Sequence, residues 1–133
     1  MLLLLLPLFI TIVLIITMRR KIDYVGVHYI IDVDDADERL LYDNTAMIKV
    51  CDDALQKSGV TIVNKAVHPF HPHGLTLLYL LTESHFSLHT WPEHRKIRID
   101  FFSCQNHEKC EIGCDHLKRA FHGSTIRVQR LYR

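Results

Sequence analysis

Glu83-Ser84, with His89 and Cys104 downstream, is the group of residues in this chain best suited to carry out chemistry. A serine hydroxyl that attacks the preceding carbonyl converts the amide to an ester. A base that then removes the serine α-proton leads through dehydroalanine to a pyruvoyl group. Histidine suits that base because its pKa lies near neutrality, and a thiol with a tuned pKa can return a proton to a carbanion. Self-cleavage would need these residue types.

The spacing of Ser84 and His89 sets a condition on the fold. The two residues are an odd number of positions apart, so strict strand alternation places them on opposite faces. For the two side chains to meet, the chain must bend between them, or cleavage must free Ser84 to swing.

The surrounding sequence carries a longer pattern. The segment from residue 83 to residue 93 reads E-S-H-F-S-L-H-T-W-P-E, and Cys104 follows eleven residues later. This pattern resembles the S-adenosylmethionine decarboxylase proenzymes of the small prokaryotic type, and the resemblance extends from about residue 24 to residue 132.

The resemblance implies cleavage between Glu83 and Ser84, with a pyruvoyl group formed from Ser84 as the only cofactor. His89 would assist processing and Cys104 would act as the catalytic acid, while the substrate amine would form a Schiff base with the pyruvoyl ketone. The product, decarboxylated S-adenosylmethionine, would serve polyamine (spermidine) synthesis. The implied substrate contacts are Phe70, stacked on adenine, and Glu93, which would hold the ribose hydroxyls. The family also pairs protomers into homodimers with both partners near the active site.

The chain departs from the family pattern at several positions. Thr76 stands where the family usually has serine, so we expect slower processing. A basic tract at residues 94–98 replaces small neutral residues, and Gln105 replaces a glycine. These departures leave two alternatives open. The first is the same mechanism acting on another amino acid, such as arginine or ornithine, and the second is a non-catalytic, membrane-tethered homologue.

The N-terminus predicts a membrane anchor. Residues 2–18 carry no charge and are followed by Arg19-Arg20-Lys21, a length that barely spans a bilayer. Because the charges follow the apolar run, the positive-inside rule keeps the remainder cytoplasmic. We therefore divide the chain into an anchor over 1–21 and a decarboxylase domain over 22–133. If the segment is a core helix or follows a misassigned start, the whole protein is cytoplasmic.

The remaining residues predict one domain of ordinary size. A net charge of +1, with no basic stripe interleaved with aromatic residues, gives no reason to invoke nucleic acid. Hydrophobic patterning predicts strands at 25–33, 60–67, 75–81, 85–90, 96–102 and 125–131, with helices at 38–57 and 108–122. Two helices on one face of a mainly antiparallel sheet make an α+β two-layer sandwich, preceded here by the N-terminal hydrophobic helix.

Two histidine-rich clusters raise the possibility of a metal site. The spacing of His107, Cys110, Cys114 and His116 is a poor match to zinc modules. Cys110 and Cys114 instead share a helix stripe with Leu117 and Phe121, which favours a core position. The second cluster, His68, His71 and His73, lies on a proline-rich loop. We predict no metal at either cluster, and we expect the four cysteines to be reduced thiols.

Overall fold

Six strands form a single antiparallel sheet in the computed structural model, which describes residues 24–104 and 107–133. The spatial order of the strands is β2-β3-β4-β5-β1-β6. The strands are β1 (Val27–Asp34), β2 (Ile62–Pro69), β3 (Leu75–Leu81), β4 (Ser84–Trp91), β5 (Lys96–Ser103) and β6 (Thr125–Tyr132). The helices are α1 (Glu38–Leu41), α2 (Asn44–Lys57) and α3 (His107–Ala120).

One face of the sheet carries the hydrophobic core. Alternate residues of the four inner strands are buried, as in β1, where Tyr29 and Ile31 are inaccessible and their neighbours are not. These side chains pack with buried residues of α2 and α3, including Met47 and Leu117, in one contiguous cluster. The two-layer α+β sandwich with an antiparallel sheet is therefore confirmed.

The opposite face of the sheet, called here the open face, has no helix over it among the described residues. It carries the intervening residues of each strand, among them Leu78 and Leu80 of β3, which are 49% and 56% exposed. The run 75–81 is a strand as predicted, and it is an inner one, paired on both sides. The described helices cover one of its faces.

The predicted helix over 38–57 is in fact two helices. Asp37 caps α1 by accepting a hydrogen bond from the Arg39 backbone N–H, and Asp43 caps α2 in the same way through Ala46. The second cap restarts the helix, and Leu41 is the buried residue of α1.

Strand β2 lies two residues later than predicted and is exposed along its whole length. It is an edge strand, which explains why Pro69 is tolerated as its last residue: no further strand needs the missing N–H. Strand β6 forms the other edge, as expected for the solvated arginine-rich C-terminus. Arg127 pairs with Asp34 at 2.8 Å, and Arg130 pairs with Glu111 at 2.9 Å.

The predicted anchor over residues 2–18 and the departure at Gln105 lie outside the described residues. Within the described ranges, no helix is long and apolar enough to cross a membrane.

Candidate active site

The predicted cleavage site lies at one end of the sheet. A two-residue turn, Thr82-Glu83, joins β3 to β4, and Ser84 is the first residue of β4. Cys104 directly follows the neighbouring strand β5. Its backbone N–H donates to Ser84 Oγ at 3.1 Å, and its thiol donates to the Glu83 carbonyl oxygen at 3.2 Å.

These two contacts place one residue against both reacting groups. In the predicted acyl shift, the Ser84 hydroxyl oxygen is the nucleophile and the Glu83 carbonyl is its target. A donor on the carbonyl oxygen polarises the carbon and stabilises the negative charge that develops there during attack. The arrangement therefore fits a pyruvoyl group formed from Ser84.

Cys104 is also the most accessible of the four cysteines, all of which are described and unpaired. Cys51, Cys110 and Cys114 are buried, as the core stripe predicted for the last two. Burial raises the pKa of the Cys51 and Cys110 thiols and raises that of Cys114 to about 12. Such thiols stay protonated and unreactive at neutral pH, so Cys104 is the cysteine suited to chemistry.

A second group of predicted residues lies at the other end of β4, around a cavity of about 380 Å³. Thr76 on β3 stands directly opposite His89 on β4, and Thr76 Oγ1 lies 2.9 Å from His89 Nδ1. This hydrogen bond fixes the imidazole plane. Thr76 therefore supplies the hydroxyl contact that serine would supply, with one extra methyl group.

The loop between β2 and β3 shapes the cavity. The Phe70 N–H donates to the Gly74 carbonyl and closes the loop, while Leu75 N–H donates to Thr90 Oγ1 at 2.9 Å. Gly74 has a φ of 115°, a conformation that side-chain-bearing residues rarely adopt, and a Cβ there would lie 3.4 Å from the Phe70 Cβ. The glycine thus lets the loop turn back and present Phe70 at the rim.

Aromatic and acidic groups line this cavity together. The Phe70 and Trp91 side chains are 50% and 41% exposed there, which leaves flat apolar surface for a ring. The Glu93 carboxylate lies on the same wall, 3.8 Å from His73 Nε2. Sequence reasoning missed Trp91 and His73 as lining residues, although Trp91 sits inside the recognised motif.

The two groups are not brought together within one chain. Strand β4 is continuous from Ser84 to Trp91, so the bend that would have joined Ser84 to His89 is absent. The two residues are five positions apart along the strand, which is about 16 Å. His89 also lies on the open face. Ser84 is two residues before buried Phe86, so its side chain is on the covered face.

The basic tract lines no part of the cavity. Arg95 donates to the Ala36 carbonyl at 3.1 Å, and Arg98 pairs with Asp34 at 2.9 Å. The hydrogen bond from Arg98 lowers the pKa of the Asp34 carboxyl. Arg95 and Arg98 therefore hold β1 and the segment before α1, and no residue of the tract lines the cavity next to Glu93.

A row of rings crosses the open face near the cleavage site, and sequence reasoning did not foresee it. His28 of β1, Phe102 of β5 and His85 of β4 are aligned by strand register. Asp100 Oδ1 lies 3.1 Å from His28 Nε2. The signal available in the sequence was only that His85 directly follows Ser84.

Comparison with known proteins agrees with this fold. The sequence profile of S-adenosylmethionine decarboxylase matches residues 27–133. An S-adenosylmethionine decarboxylase proenzyme of Synechococcus sp. (strain WH7803) is 39% identical over 94 residues, which are 71% of this chain and 73% of that protein. A proenzyme of Bacillus anthracis, numbered 2, is 33% identical over 81% of this chain and 88% of its own length.

A solved structure shares the architecture. The crystal structure of the adenosylmethionine decarboxylase from Aquifex aeolicus VF5 superposes with a TM-score of 0.77 at 25% identity, covering 84% of this chain and 92% of that one. Fold and site thus define an α+β protein of the self-processing decarboxylase class. The chain belongs to the S-adenosylmethionine decarboxylase family.

Proposed function

We propose that this chain is a proenzyme that cleaves itself between Glu83 and Ser84 and then decarboxylates S-adenosylmethionine. The observation that carries the proposal is the double contact of Cys104 with Ser84 Oγ and the Glu83 carbonyl oxygen. A thiol in that place can first donate a hydrogen bond to the Glu83 carbonyl during cleavage. After cleavage it can donate a proton to the substrate.

Processing begins when Ser84 Oγ bonds to the Glu83 carbonyl carbon. The carbon–nitrogen bond breaks and the nitrogen takes the hydroxyl proton, which leaves an ester. Removal of the Ser84 α-proton then breaks the Cβ–Oγ bond and releases the Glu83 carboxylate. The resulting dehydroalanine takes up water and loses ammonia to give a blocked N-terminus. His89 is the proposed base for the α-proton, with Thr76 fixing its ring.

The pyruvoyl group supplies the electron sink for the bond electrons that remain when carbon dioxide leaves the substrate. The chain's own residues then orient the substrate and move the proton. Cys104 is the proposed proton donor to the substrate α-carbon, since its side chain lies at the cleaved bond and is not fully buried.

S-adenosylmethionine is the proposed substrate because of the cavity between β3, β4 and the β2–β3 loop. Phe70 offers an aromatic face to adenine and to the sulfonium, and Glu93 can accept both ribose hydroxyls. Arginine or ornithine would make no use of an adenine platform, and the basic tract that raised this alternative is engaged elsewhere.

A complete site requires two copies of the chain in this proposal. Ser84 and Cys104 form one half-site, and His89 with the cavity forms the other, about 16 Å along the same strand. A homodimer paired over the open faces would bring the His89 half-site of one copy to the start of β4 in the other copy. The Ser84 side chain has the alternation of the covered face, so His89 would reach the α-proton of Ser84 and not its hydroxyl. Leu78 and Leu80 offer apolar surface for the contact between the open faces.

Residues 2–18 remain a proposed membrane anchor, with residues 22–133 on the cytoplasmic side. The full-length chain should stay in membranes through a carbonate wash, and an external protease should not reach the catalytic domain in intact cells. Recovery of the chain in the wash would contradict the anchor.

Self-cleavage is the decisive test of the proposed function. Purified chain should convert without a protease into fragments of 83 and 50 residues, the second blocked at its N-terminus, as seen by intact mass. Ser84→Ala should abolish conversion. The cleaved protein should release carbon dioxide from carboxyl-labelled S-adenosylmethionine faster than from arginine or ornithine. A wild-type chain that stays intact on long incubation would refute the proposal, and release from arginine or ornithine alone would refute the substrate.

A further inference from the structure

Cleavage creates a structural problem at the start of β4. Before cleavage, Ser84 is bonded to the hairpin turn on one side and to the rest of β4 on the other. Afterwards it begins a new chain, and the first residues of a chain are poorly ordered unless they are tied down. The reactive group at position 84 nevertheless has to keep its place beside Cys104.

His85 is the first side chain beyond the cleaved residue, and its exposed imidazole lies beside two other rings. Its imidazole lies 5.8 Å from the Phe102 ring at an angle of 34°, and 6.1 Å from the His28 ring at 78°. His28 and Phe102 also meet edge to face at 6.1 Å. The three rings thus contact one another pairwise across β1, β5 and β4.

The outer members of this group are themselves fixed. The His28 side chain is only 15% exposed, and its Nε2 lies 3.1 Å from Asp100 Oδ1, which settles the plane of the ring. The Arg133 guanidinium carbon lies 5.8 Å from the centre of the Phe102 ring. His85 therefore packs against rings that are held by their own partners.

We propose that the His28–Phe102–His85 ring cluster anchors the new N-terminus after self-cleavage and so holds residue 84 beside Cys104. The inference rests on the proposed function, and it makes His85 a positioning residue that works through its ring and not through proton transfer. The hairpin turn does this work in the uncleaved chain. The cluster is then needed for turnover and not for cleavage.

Two variants of His85 separate packing from acid–base chemistry. His85→Ala removes the ring, whereas His85→Phe keeps the ring and removes the titrating nitrogens. His85→Ala should still cleave but should lower kcat by about three- to tenfold, the range expected from losing aromatic contacts, with little change in KM. His85→Phe should restore kcat. His122→Ala, which alters an exposed histidine beyond α3, is the matched control and should behave as wild type.

A second readout does not depend on activity. Amide hydrogen exchange over residues 85–88 should be faster by about three- to tenfold in cleaved His85→Ala than in cleaved wild type. The uncleaved forms, compared in the Ser84→Ala background, should differ much less. If cleaved His85→Ala showed wild-type exchange and wild-type kcat, the role of the ring cluster would be overturned and the proposed function would stand. A kcat in His85→Phe as low as that of His85→Ala would have the same consequence.

The proposal stays testable if His85→Ala fails to cleave. Asp100→Ala leaves the cleavage site intact and releases the His28 ring, so it should show the same pairing of normal cleavage with faster exchange and lower kcat. Unchanged exchange and kcat in cleaved Asp100→Ala would also overturn the anchor. Failure of the wild-type chain to cleave would overturn the anchor and the proposed function together.

Discussion

Cys104 combines two contacts that a catalytic thiol alone would not need. Its N–H holds the Ser84 hydroxyl oxygen, and its Sγ–H reaches the Glu83 carbonyl oxygen. The backbone contact survives substitution by any residue that keeps its N–H, whereas the thiol contact does not. The two contributions can therefore be separated by mutation.

We predict that Cys104→Ser cleaves faster than Cys104→Ala, because a hydroxyl can still donate to the Glu83 carbonyl oxygen. Both variants should lose about 10²- to 10⁴-fold in decarboxylation, because neither supplies a thiol proton. Time courses of fragment formation, followed by carbon dioxide release from the cleaved protein, test both statements. Equal cleavage rates in the two variants would remove the thiol from processing, and full activity in Cys104→Ala would move the general acid elsewhere.

Residue types near Ser84 could be read from the sequence, but their grouping could not. The motif named Ser84, His89 and Cys104, and the structure brings only the first and third together. The sequence shows that Ser84 and His89 are an odd number of positions apart. Because β4 is continuous over both residues, this offset places their side chains on opposite faces of the sheet. His28 and Asp100 lie far from Ser84 in sequence, so only strand register reveals that they share its end of the sheet.

At the scale of elements, the strands were more predictable than their surroundings. The predicted bounds of β1, β3, β4 and β5 lie within two residues of the observed ends. Strand-forming residue types indicated β1, and an unbroken apolar run indicated β3. The break between α1 and α2 was missed because Asp43 is a polar residue inside a run that otherwise satisfies helix periodicity. The offset of β2 follows from its exposure, since an edge strand with no buried face leaves no pattern to fix its ends.

A buried thiol of helix α3 makes the domain less stable at alkaline pH. Burial raises the Cys114 pKa from 9.0 to about 12. A raised folded-state value means that the thiol stabilises the fold fully below pH 9, and that this contribution is lost as the pH rises towards 12. In that window, the unfolded chain releases the proton first.

We predict that the free energy of unfolding falls from pH 9 to pH 11, and that Cys114→Ala makes the fall shallower by about 1.4 kcal/mol per pH unit. Urea titrations in the uncleaved Ser84→Ala background measure this without the complication of two fragments. Cys104→Ala, which removes a less buried thiol, is the control. An identical pH slope with and without Cys114 would contradict the prediction.

At the scale of the whole molecule, the open face accounts for the divided site of the proposed dimer. The helices of the described residues cover one side of the sheet, and the proposal places a second copy of the chain on the other side. The two half-sites lie at opposite ends of β4. An isologous pair with antiparallel strands across the contact would join each half-site to its complement twice, once at each end.

Complementation between inactive chains tests this arrangement directly. The Ser84→Ala chain keeps His89, and the His89→Ala chain keeps Ser84, so each is expected to remain uncleaved alone. When both are produced in the same cells with different tags, a mixed pair holds one complete site. The His89→Ala chain should then be cleaved, and the Ser84→Ala chain should stay intact. Pairs isolated through both tags and measured by intact mass give the result.

The control pairs His89→Ala with the double variant Ser84→Ala/His89→Ala. This pair contains no His89 and should leave both chains whole. If the mixed pairs also stay uncleaved, or if His89→Ala cleaves alone, then His89 does not act as the base across the pair.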